Sequence, residues 1–262
     1  MRKREESFVW PKSGVSRSLS RQRDNIFVIG TDTGVGKTVL SLLLVQFFYA
    51  KGYSPFYLKP IQTGCKNPSD VNSDAGFIYR HVRPLRGKDP AESVIYCFEN
   101  PKAPYFAARD EGREIDVRVI RKVVEERSLL YFPVVLEAAG GLLVPVSEKI
   151  LMVDIIRITG ARPIIAARPG LGTINHTLLT IEALRKRRIS PAGIVFIASA
   201  QGDTSEYPVI IHENMEAIER FSGIKVAGLI GKIKDFSNPD QSCYRPLERL
   251  VSNGRERIPG IF

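Results

Sequence analysis

Cysteine is scarce in this sequence, and the scarcity narrows the classes of protein that it can encode. The three cysteines, Cys65, Cys97 and Cys243, lie far apart among 262 residues, and none belongs to a C-x-x-C pair. Such spacing argues against a zinc site or a disulfide framework and favours a reducing compartment. Long hydrophobic runs are missing too, since no apolar stretch approaches the roughly 20 residues of a membrane helix. We therefore expect a cytoplasmic protein that does not enter a membrane.

Acidic residues are in deficit, with 28 Asp and Glu against 38 Lys and Arg. Residues 1–25 hold seven of the basic and three of the acidic residues, which leaves about +6 of the formal +10 charge on the remainder. The sequence has no helix-turn-helix, RNA-binding or zinc-finger pattern, so we expect a basic enzyme that binds no nucleic acid. Residues 1–24, rich in Ser and Arg, are predicted to form a disordered or loosely docked tail. An organelle-targeting peptide is disfavoured by Glu5 and Glu6.

A glycine-rich stretch stands where a predicted strand passes into a predicted helix. Gly30-Thr-Asp-Thr-Gly-Val-Gly-Lys-Thr38 follows the apolar run Ile26–Ile29 and precedes a helical pattern over residues 39–50. This context predicts a phosphate-binding loop, whose backbone N–H groups and helix N-terminus hold phosphate oxygens. Lys37 would reach the β- and γ-phosphates, and the Thr38 hydroxyl would hold Mg²⁺. The first glycine lies one residue earlier than in the usual G-x-x-x-x-G-K-[ST] pattern.

Charged side chains follow two other predicted strands. Lys59 comes after the apolar segment 55–58 and before the loop Ile61–Gly64, and Glu137 follows the apolar segment 132–136. Ligands bind at the carboxyl ends of strands in open parallel sheets. We therefore expect Lys59 to contact a phosphate or carboxylate, and Glu137 to be an acid linked to a metal ion. An exposed strand end and a solvated loop glutamate are the alternatives.

Two predicted helices begin in segments that also suit ligand binding. Ser73 or Asp74 caps the first, and the spacing leaves capping and a functional role for Asp74 equally open. The second opens at Gly170–His176, where free N–H groups can hold a carboxylate. Strands and helices alternate along the chain, which predicts an α/β fold with a mostly parallel central sheet and helices on both faces. We expect residues 25–262 to form a single domain.

Five segments between about Asn25 and Ile233 resemble, in order, the motifs of the dethiobiotin synthetase family. The loop at residues 30–38 is similar to the family's GTDTxVGKT, including the early glycine. Four further segments are similar to KPVxSG, NSDA, VEGAGGxxxP and LGxINHxLLT: Lys59–Gly64, Asn72–Ala75, Leu136–Pro145 and Leu171–Thr180. The resemblance implies a P-loop NTPase fold.

The resemblance also implies an enzyme, a cyclo-ligase of biotin biosynthesis. It would join 7,8-diaminononanoate and carbon dioxide, supplied as bicarbonate, into the cyclic urea of dethiobiotin, with ATP as co-substrate and Mg²⁺ as cofactor. One amine becomes a carbamate, whose oxygen attacks the γ-phosphate, and the second amine closes the ring on the carbamic–phosphoric mixed anhydride. The resemblance further implies a homodimer with the substrate at the interface.

Individual roles follow from the same resemblance. The residues implied in catalysis are Lys37, Lys59 and Thr63. Those implied in nucleotide binding are Thr33, Gly34, Val35, Gly36, Lys37, Thr38 and Val39. The implied metal ligands are Thr38, Asp74 and Glu137. The residues implied in substrate binding are Thr63 and, from the partner subunit, Gly172, Thr173, Ile174 and Asn175.

The nucleobase end of the sequence departs from the family pattern. The asparagine with which many members bind adenine has no counterpart in Ile194–Ser199, and Gly231-Lys-Ile233 lacks the proline of the family's G-E-I-P turn. We expect either that Ser199 or backbone groups bind the base, or that several nucleoside triphosphates are accepted.

Two other classes of protein share the loop motif. A related ligase such as a cobyrinate diamide synthase often carries a glutamine amidotransferase domain, for which this chain is too short. A nucleotide switch of the ParA/MinD kind typically has a lysine where Asp32 stands. Both are therefore disfavoured.

Overall fold

The computed structural model describes residues 25–198 and 208–252, so the predicted tail, residues 1–24, and Ser199 lie outside the described part. Seven strands form one sheet: β1 (Ile26–Gly30), β2 (Phe56–Thr63), β3 (Val94–Phe98), β4 (Val134–Glu137), β5 (Arg162–Ala167), β6 (Gly193–Ile197) and β7 (Val226–Ile230). Their order is β3-β2-β4-β1-β5-β6-β7, and all neighbours are parallel. Parallel neighbours need crossover connections, and here α-helices supply them between successive strands.

The described residues form eight α-helices: α1 (Lys37–Ala50), α2 (Asp74–His81), α3 (Pro104–Asp110), α4 (Val117–Leu130), α5 (Met152–Thr159), α6 (Thr173–Arg185), α7 (Pro208–Ser222) and α8 (Arg245–Ser252). Short 3₁₀ turns lie at Arg83–Leu85, Pro90–Ser93 and Gln241–Tyr244. None of the described helices has the length and apolar character needed to cross a membrane.

The sheet separates two apolar layers. Along β1, Phe27 and Ile29 belong to one layer and Val28 to the other, as the two-residue period of a strand requires. Leu40 and Leu43 of α1 pack in the Val28 layer. The predicted α/β fold, a parallel sheet with helices on both faces, is confirmed.

The end of β2 differs from the prediction. The sequence predicts that this strand ends at Lys59-Pro60 and that Ile61–Gly64 is a loop, whereas β2 continues through Lys59 and Pro60 to Thr63. The cause is β3, which the sequence predictions did not include. It pairs with β2 from Lys59 opposite Val94 to Thr63 opposite Phe98. Lys59 still lies level with the end of β4, because Leu58 is in register with Leu136.

The cysteine prediction is also corrected. Cys65 and Cys97, expected to stay unpaired, form a disulfide, and Cys243 is free and buried. The register of the sheet explains why the two cysteines are close. Gln62 of β2 lies opposite Cys97 of β3, and Cys65 follows Gln62 shortly after in the chain. Residues 32 positions apart in sequence thus become neighbours through a strand pairing that sequence spacing does not show.

Candidate active site

The glycine-rich loop connects β1 to α1 at the carboxyl edge of the sheet. A side chain at Gly30 would come within 2.7 Å of Val35 and 2.8 Å of the Asp32 carbonyl, so the tight turn leaves no room for a Cβ. Gly36 has a φ of 91°, which favours glycine, and its Cα faces Ile197 closely enough that a Cβ would lie 2.7 Å from that side chain. Steric crowding therefore explains why a glycine stands at position 30, one residue earlier than in the usual motif.

The N-terminus of α1 is open to an anion. Gly36 precedes the helix without a side-chain cap, and the first turn holds no acidic residue. The first amides of a helix have no partner within it, and they attract negative charge together with the helix dipole. In the loop itself, Thr33 N donates to Asp32 Oδ1 at 2.7 Å. Thr33 and Gly34 are exposed, Val35 is buried in the core, and Val39 is half-buried.

Lys37 is buried at the start of α1 and folds back over the loop. Its Nζ donates to the Asp32 carbonyl at 2.9 Å. Burial, followed by the charge of Lys59, lowers the pKa of Lys37 to about 8. The acids Glu137, Asp74 and Asp32 oppose that shift. A cationic amine directed into the loop suits a phosphate, whose charge would restore its preference for the protonated form.

The three oxygen-bearing residues predicted to bind a metal ion lie in one cluster, with Thr38 at its centre. Thr38 Oγ1 lies 2.8 Å from Asp74 Oδ1 and 2.9 Å from Glu137 Oε1. Asp74 is the first residue of α2, whose N-cap is Ser73, because the Ser73 hydroxyl accepts from Gly76 N. Capping by Ser73 leaves the Asp74 carboxylate directed toward Thr38.

Lys59 joins the same cluster. Its Nζ lies 2.7 Å from Asp74 Oδ2, 2.8 Å from Glu137 Oε1 and 3.1 Å from the Ala138 carbonyl. Only 3% of Lys59 and 1% of Glu137 is exposed. Burial alone lowers the pKa of Lys59, but the charges and hydrogen bonds of Glu137 and Asp74 outweigh it and raise that pKa above its usual value. The ammonium therefore stays charged.

The pKa of Asp74 is shifted in the opposite direction to that of Lys59. Burial favours its neutral form, yet the charge of Lys59, with hydrogen bonds from Lys59 and Thr38, keeps the pKa of Asp74 below its usual value. The donor set is a hydroxyl and two carboxylates, the hard oxygen ligands that Mg²⁺ takes alongside water and phosphate. A cage of three or more acidic, His or Cys side chains is absent from residues 25–198 and 208–252. The hydroxyl and the two carboxylates fit a Mg²⁺ ion that also binds nucleotide phosphate.

The remaining predicted residues lie outside this hydrogen-bonded cluster. Thr63 ends β2, four residues and roughly 13 Å of strand beyond Lys59. Gly172 precedes α6 with a φ of 84° and no side-chain cap. In the first turn of α6, Thr173 is buried, Ile174 is half-buried and Asn175 is exposed. This second helix N-terminus is also open to an anion.

Tyr57 belongs to the cluster although the sequence analysis did not name it. Its hydroxyl donates to Glu137 Oε2 at 2.9 Å, and its side chain is fully buried. Its position two residues before Lys59 could have predicted that Tyr57 lies near the site, since alternate residues of a strand share a face.

These observations define a class of protein. A glycine-rich loop between a strand and an uncapped helix, a buried lysine and an oxygen cluster at the sheet's carboxyl edge are the parts of a P-loop nucleotide-binding protein. A family model described as an AAA domain matches residues 24–240.

Known structures share the fold. The MinD protein of Aquifex aeolicus aligns with a TM-score of 0.54 and 15% identity over 90% of this chain and 99% of its own. The MinC:MinD complex of the same organism gives a TM-score of 0.56 and 14% identity, covering 90% of this chain and 97% of that chain. At such identity the likeness shows the fold alone.

Similarity to curated relatives gives the family. The ATP-dependent dethiobiotin synthetase BioD of Methanococcus vannielii is 33% identical over 80% of this chain and 95% of the relative. That of a Hydrogenobaculum species is 39% identical over 70% of this chain and 80% of the relative. That of Paramagnetospirillum magneticum is 38% identical, with coverages of 77% and 84%. The chain belongs to the dethiobiotin synthetase family.

Proposed function

We propose that this chain is a Mg²⁺- and ATP-dependent cyclo-ligase that converts 7,8-diaminononanoate and carbon dioxide to dethiobiotin in biotin biosynthesis. One observation carries the proposal. In a member of the dethiobiotin synthetase family, Lys59 bridges two carboxylates that also meet Thr38 of the phosphate-binding loop. That arrangement supplies positive charge beside a nucleotide's terminal phosphate without any nucleophilic side chain.

Each part of the site has a role in this proposal. The loop amides of residues 33–39 and Lys37 hold the phosphates of ATP. Thr38, Asp74 and Glu137 would hold Mg²⁺, which when bound neutralises negative charge on the phosphates. The buried ammonium of Lys59 stabilises the carbamate and the transferring phosphoryl group, with the Thr63 hydroxyl further along the same strand.

The chemistry proceeds by positioning and charge stabilisation. A substrate amine adds to carbon dioxide and becomes a carbamate. A carbamate oxygen forms a bond to the γ-phosphorus while the bond to ADP breaks. The second amine then attacks the carbamate carbon, and phosphate leaves as the ring closes. Two lysines suffice because preorganised cations act most strongly in a water-poor site.

The proposed enzyme is a homodimer, with the N-terminus of α6 binding the carboxylate of a substrate held by the partner subunit. Exposed leucines support the dimer: Leu171, Leu179 and Leu143 are 90%, 61% and 54% exposed. Two of them lie on or beside α6, and the third is in the loop after β4. Contiguous exposed apolar surface marks interaction sites, and in this proposal the three leucines contribute to one such surface. We also propose a cytoplasmic enzyme whose other partners are small molecules, not nucleic acid or membrane.

The experiment that tests the proposal follows both products. Purified protein is incubated with diaminononanoate, bicarbonate, Mg²⁺ and either ATP, GTP or CTP, while phosphate release and dethiobiotin mass are measured. Dethiobiotin with any nucleotide supports the ligase, and the ranking of nucleotides tests the relaxed base preference. Nucleotide hydrolysis without dethiobiotin would contradict it and favour a related ligase or a switch.

A further inference from the structure

The two carboxylate oxygens of Glu137 have different partners. Oε1 accepts a hydrogen bond from Lys59 Nζ at 2.8 Å and lies 2.9 Å from Thr38 Oγ1. Oε2 accepts the Tyr57 hydroxyl at 2.9 Å. The side chain of Glu137 is almost completely buried, so water cannot replace a missing partner at low cost.

The terminal torsion of a glutamate does not by itself define the direction of its oxygens. That torsion joins an sp³ to an sp² carbon, and its preferences are broad. The carboxylate of Glu137 is therefore directed by its hydrogen bonds. Tyr57 is the partner that holds the oxygen on the side away from Thr38.

The backbone of Tyr57 is itself fixed. Tyr57 is in register with Val135 of β4, and Val135 lies two residues before Glu137. The side chains of Tyr57 and Glu137 therefore lie on the same face of adjacent strands. The buried Ser93 hydroxyl donates to the Tyr57 carbonyl at 2.7 Å, and Ser93 is also bonded to the Tyr79 hydroxyl. The Tyr57 hydroxyl is itself buried and donates to Glu137 Oε2.

We propose that Tyr57 is a positioning residue that occupies Glu137 Oε2 and so leaves Oε1 as the single oxygen that Glu137 offers to the cation. This inference rests on the proposed metal site. Removal of the hydroxyl leaves Oε2 buried without its donor and lets the carboxylate turn. Loss of such an outer partner of a metal ligand typically weakens metal binding by about 10- to 100-fold.

The test uses the full chain with a non-hydrolysable ATP analogue and Mn²⁺ as the probe, whose free fraction is measured by electron paramagnetic resonance. We expect Tyr57→Phe to raise the Kd for Mn²⁺ by about 10-fold or more. Affinity for the analogue in excess chelator should stay unchanged. Tyr244→Phe is the matched control, because the buried Tyr244 hydroxyl bonds to Gln46 Oε1 at 3.0 Å, outside the site. An unchanged Kd for Mn²⁺ in Tyr57→Phe would overturn the proposal.

A double-mutant cycle with Glu137→Gln separates this proposal from the proposed metal site. If Tyr57 acts through Glu137, adding Tyr57→Phe to Glu137→Gln should weaken Mn²⁺ binding no further. A full additional loss would show that Tyr57 acts by another route. If Glu137→Gln alone leaves Mn²⁺ binding intact, the metal assignment fails, and the role of Tyr57 fails with it.

A third measurement leaves Tyr57 unchanged and so does not depend on the folding of a variant. Infrared difference spectra on Mg²⁺ binding, compared between the wild-type protein and Glu137→Gln, isolate the stretching bands of this carboxylate. We expect the frequency separation of the two carboxylate bands to be that of a carboxylate that binds the ion through one oxygen. A separation typical of binding through both oxygens would contradict the role of Tyr57.

Discussion

Lys37 and Lys59 are both buried amines, yet their surroundings move their pKa values in opposite directions. Lys37 has a carbonyl as its hydrogen-bond partner, and burial with the charge of Lys59 lowers its pKa to about 8. Lys59 touches two carboxylates, which raise its pKa despite burial. Lys59 thus has its counter-charges within the protein, whereas no carboxylate among residues 25–198 and 208–252 is paired with Lys37, which therefore gains most from a bound phosphate.

Lys37→Ala should lower kcat by roughly 10²- to 10³-fold, because the γ-phosphate loses its nearest cation. Single-turnover phosphate release would measure the loss. Lys51→Ala is a suitable control, since Lys51 is an exposed lysine at the other end of α1. Activity of Lys37→Ala close to that of the wild-type protein would mean that the loop does not bind the transferred phosphate.

Strand β2 connects the site to the sheet edge. It carries Tyr57, Lys59 and Thr63, and it pairs with β4 near its start and with β3 near its end. The disulfide between Cys65 and Cys97 links the chain just after β2 to the edge strand β3. The end of β2 beside the proposed substrate site is therefore joined to β3 by a covalent bond as well as by hydrogen bonds.

Thiol counting tests this pairing directly. In denaturant without reductant, the protein should react with one equivalent of alkylating agent, at Cys243, and after reduction with three, as mass spectrometry would show. Closing a loop of this length should stabilise the fold by about 3–4 kcal/mol, which denaturant unfolding with and without reductant would measure. Three reactive thiols before reduction would exclude the disulfide.

At the scale of the whole molecule, Leu171 and Leu179 are exposed beside and on α6, and the proposed active site needs that surface from a second copy. Leu179→Arg should convert the dimer to monomers, because a charge at the interface is desolvated without a partner. Sedimentation should show the change, and dethiobiotin formation should fall at least 10-fold while ATP binding persists. Leu130→Arg is the control, since Leu130 is a 71% exposed leucine at the end of α4. An active monomer would contradict the shared site.

Removal of residues 1–24 should leave kcat within about 2-fold of the full chain. Every side chain assigned to the site lies between residues 33 and 175, and the sheet begins at Ile26. Steady-state dethiobiotin formation would show whether this holds, with the melting temperature as a check on folding. A large loss of kcat would mean that these residues act at the site or at the dimer interface.

Local patterns predicted much of the fold and the site. The phosphate-binding loop, a helix cap at Ser73 or Asp74 and the alternation of strands and helices depend on residues close in sequence. The strand-end positions of Lys59 and Glu137 and the loop position of Thr38 predicted their roles at the phosphate and metal site, whereas the metal role of Asp74 was predicted only through the family resemblance. Tyr57 was missed because a tyrosine in an apolar strand has the pattern of a core residue.

The loop, most helices and the class of fold thus follow from stereochemistry between residues close in sequence. Glycine, capping residues and apolar periodicity act within a few positions of the chain. Tertiary structure alone decided the length of β2, the pairing of Cys65 with Cys97 and the contact of Tyr57 with Glu137. These features depend on strand order and register, which bring together residues between 32 and 80 positions apart, beyond the reach of any local pattern.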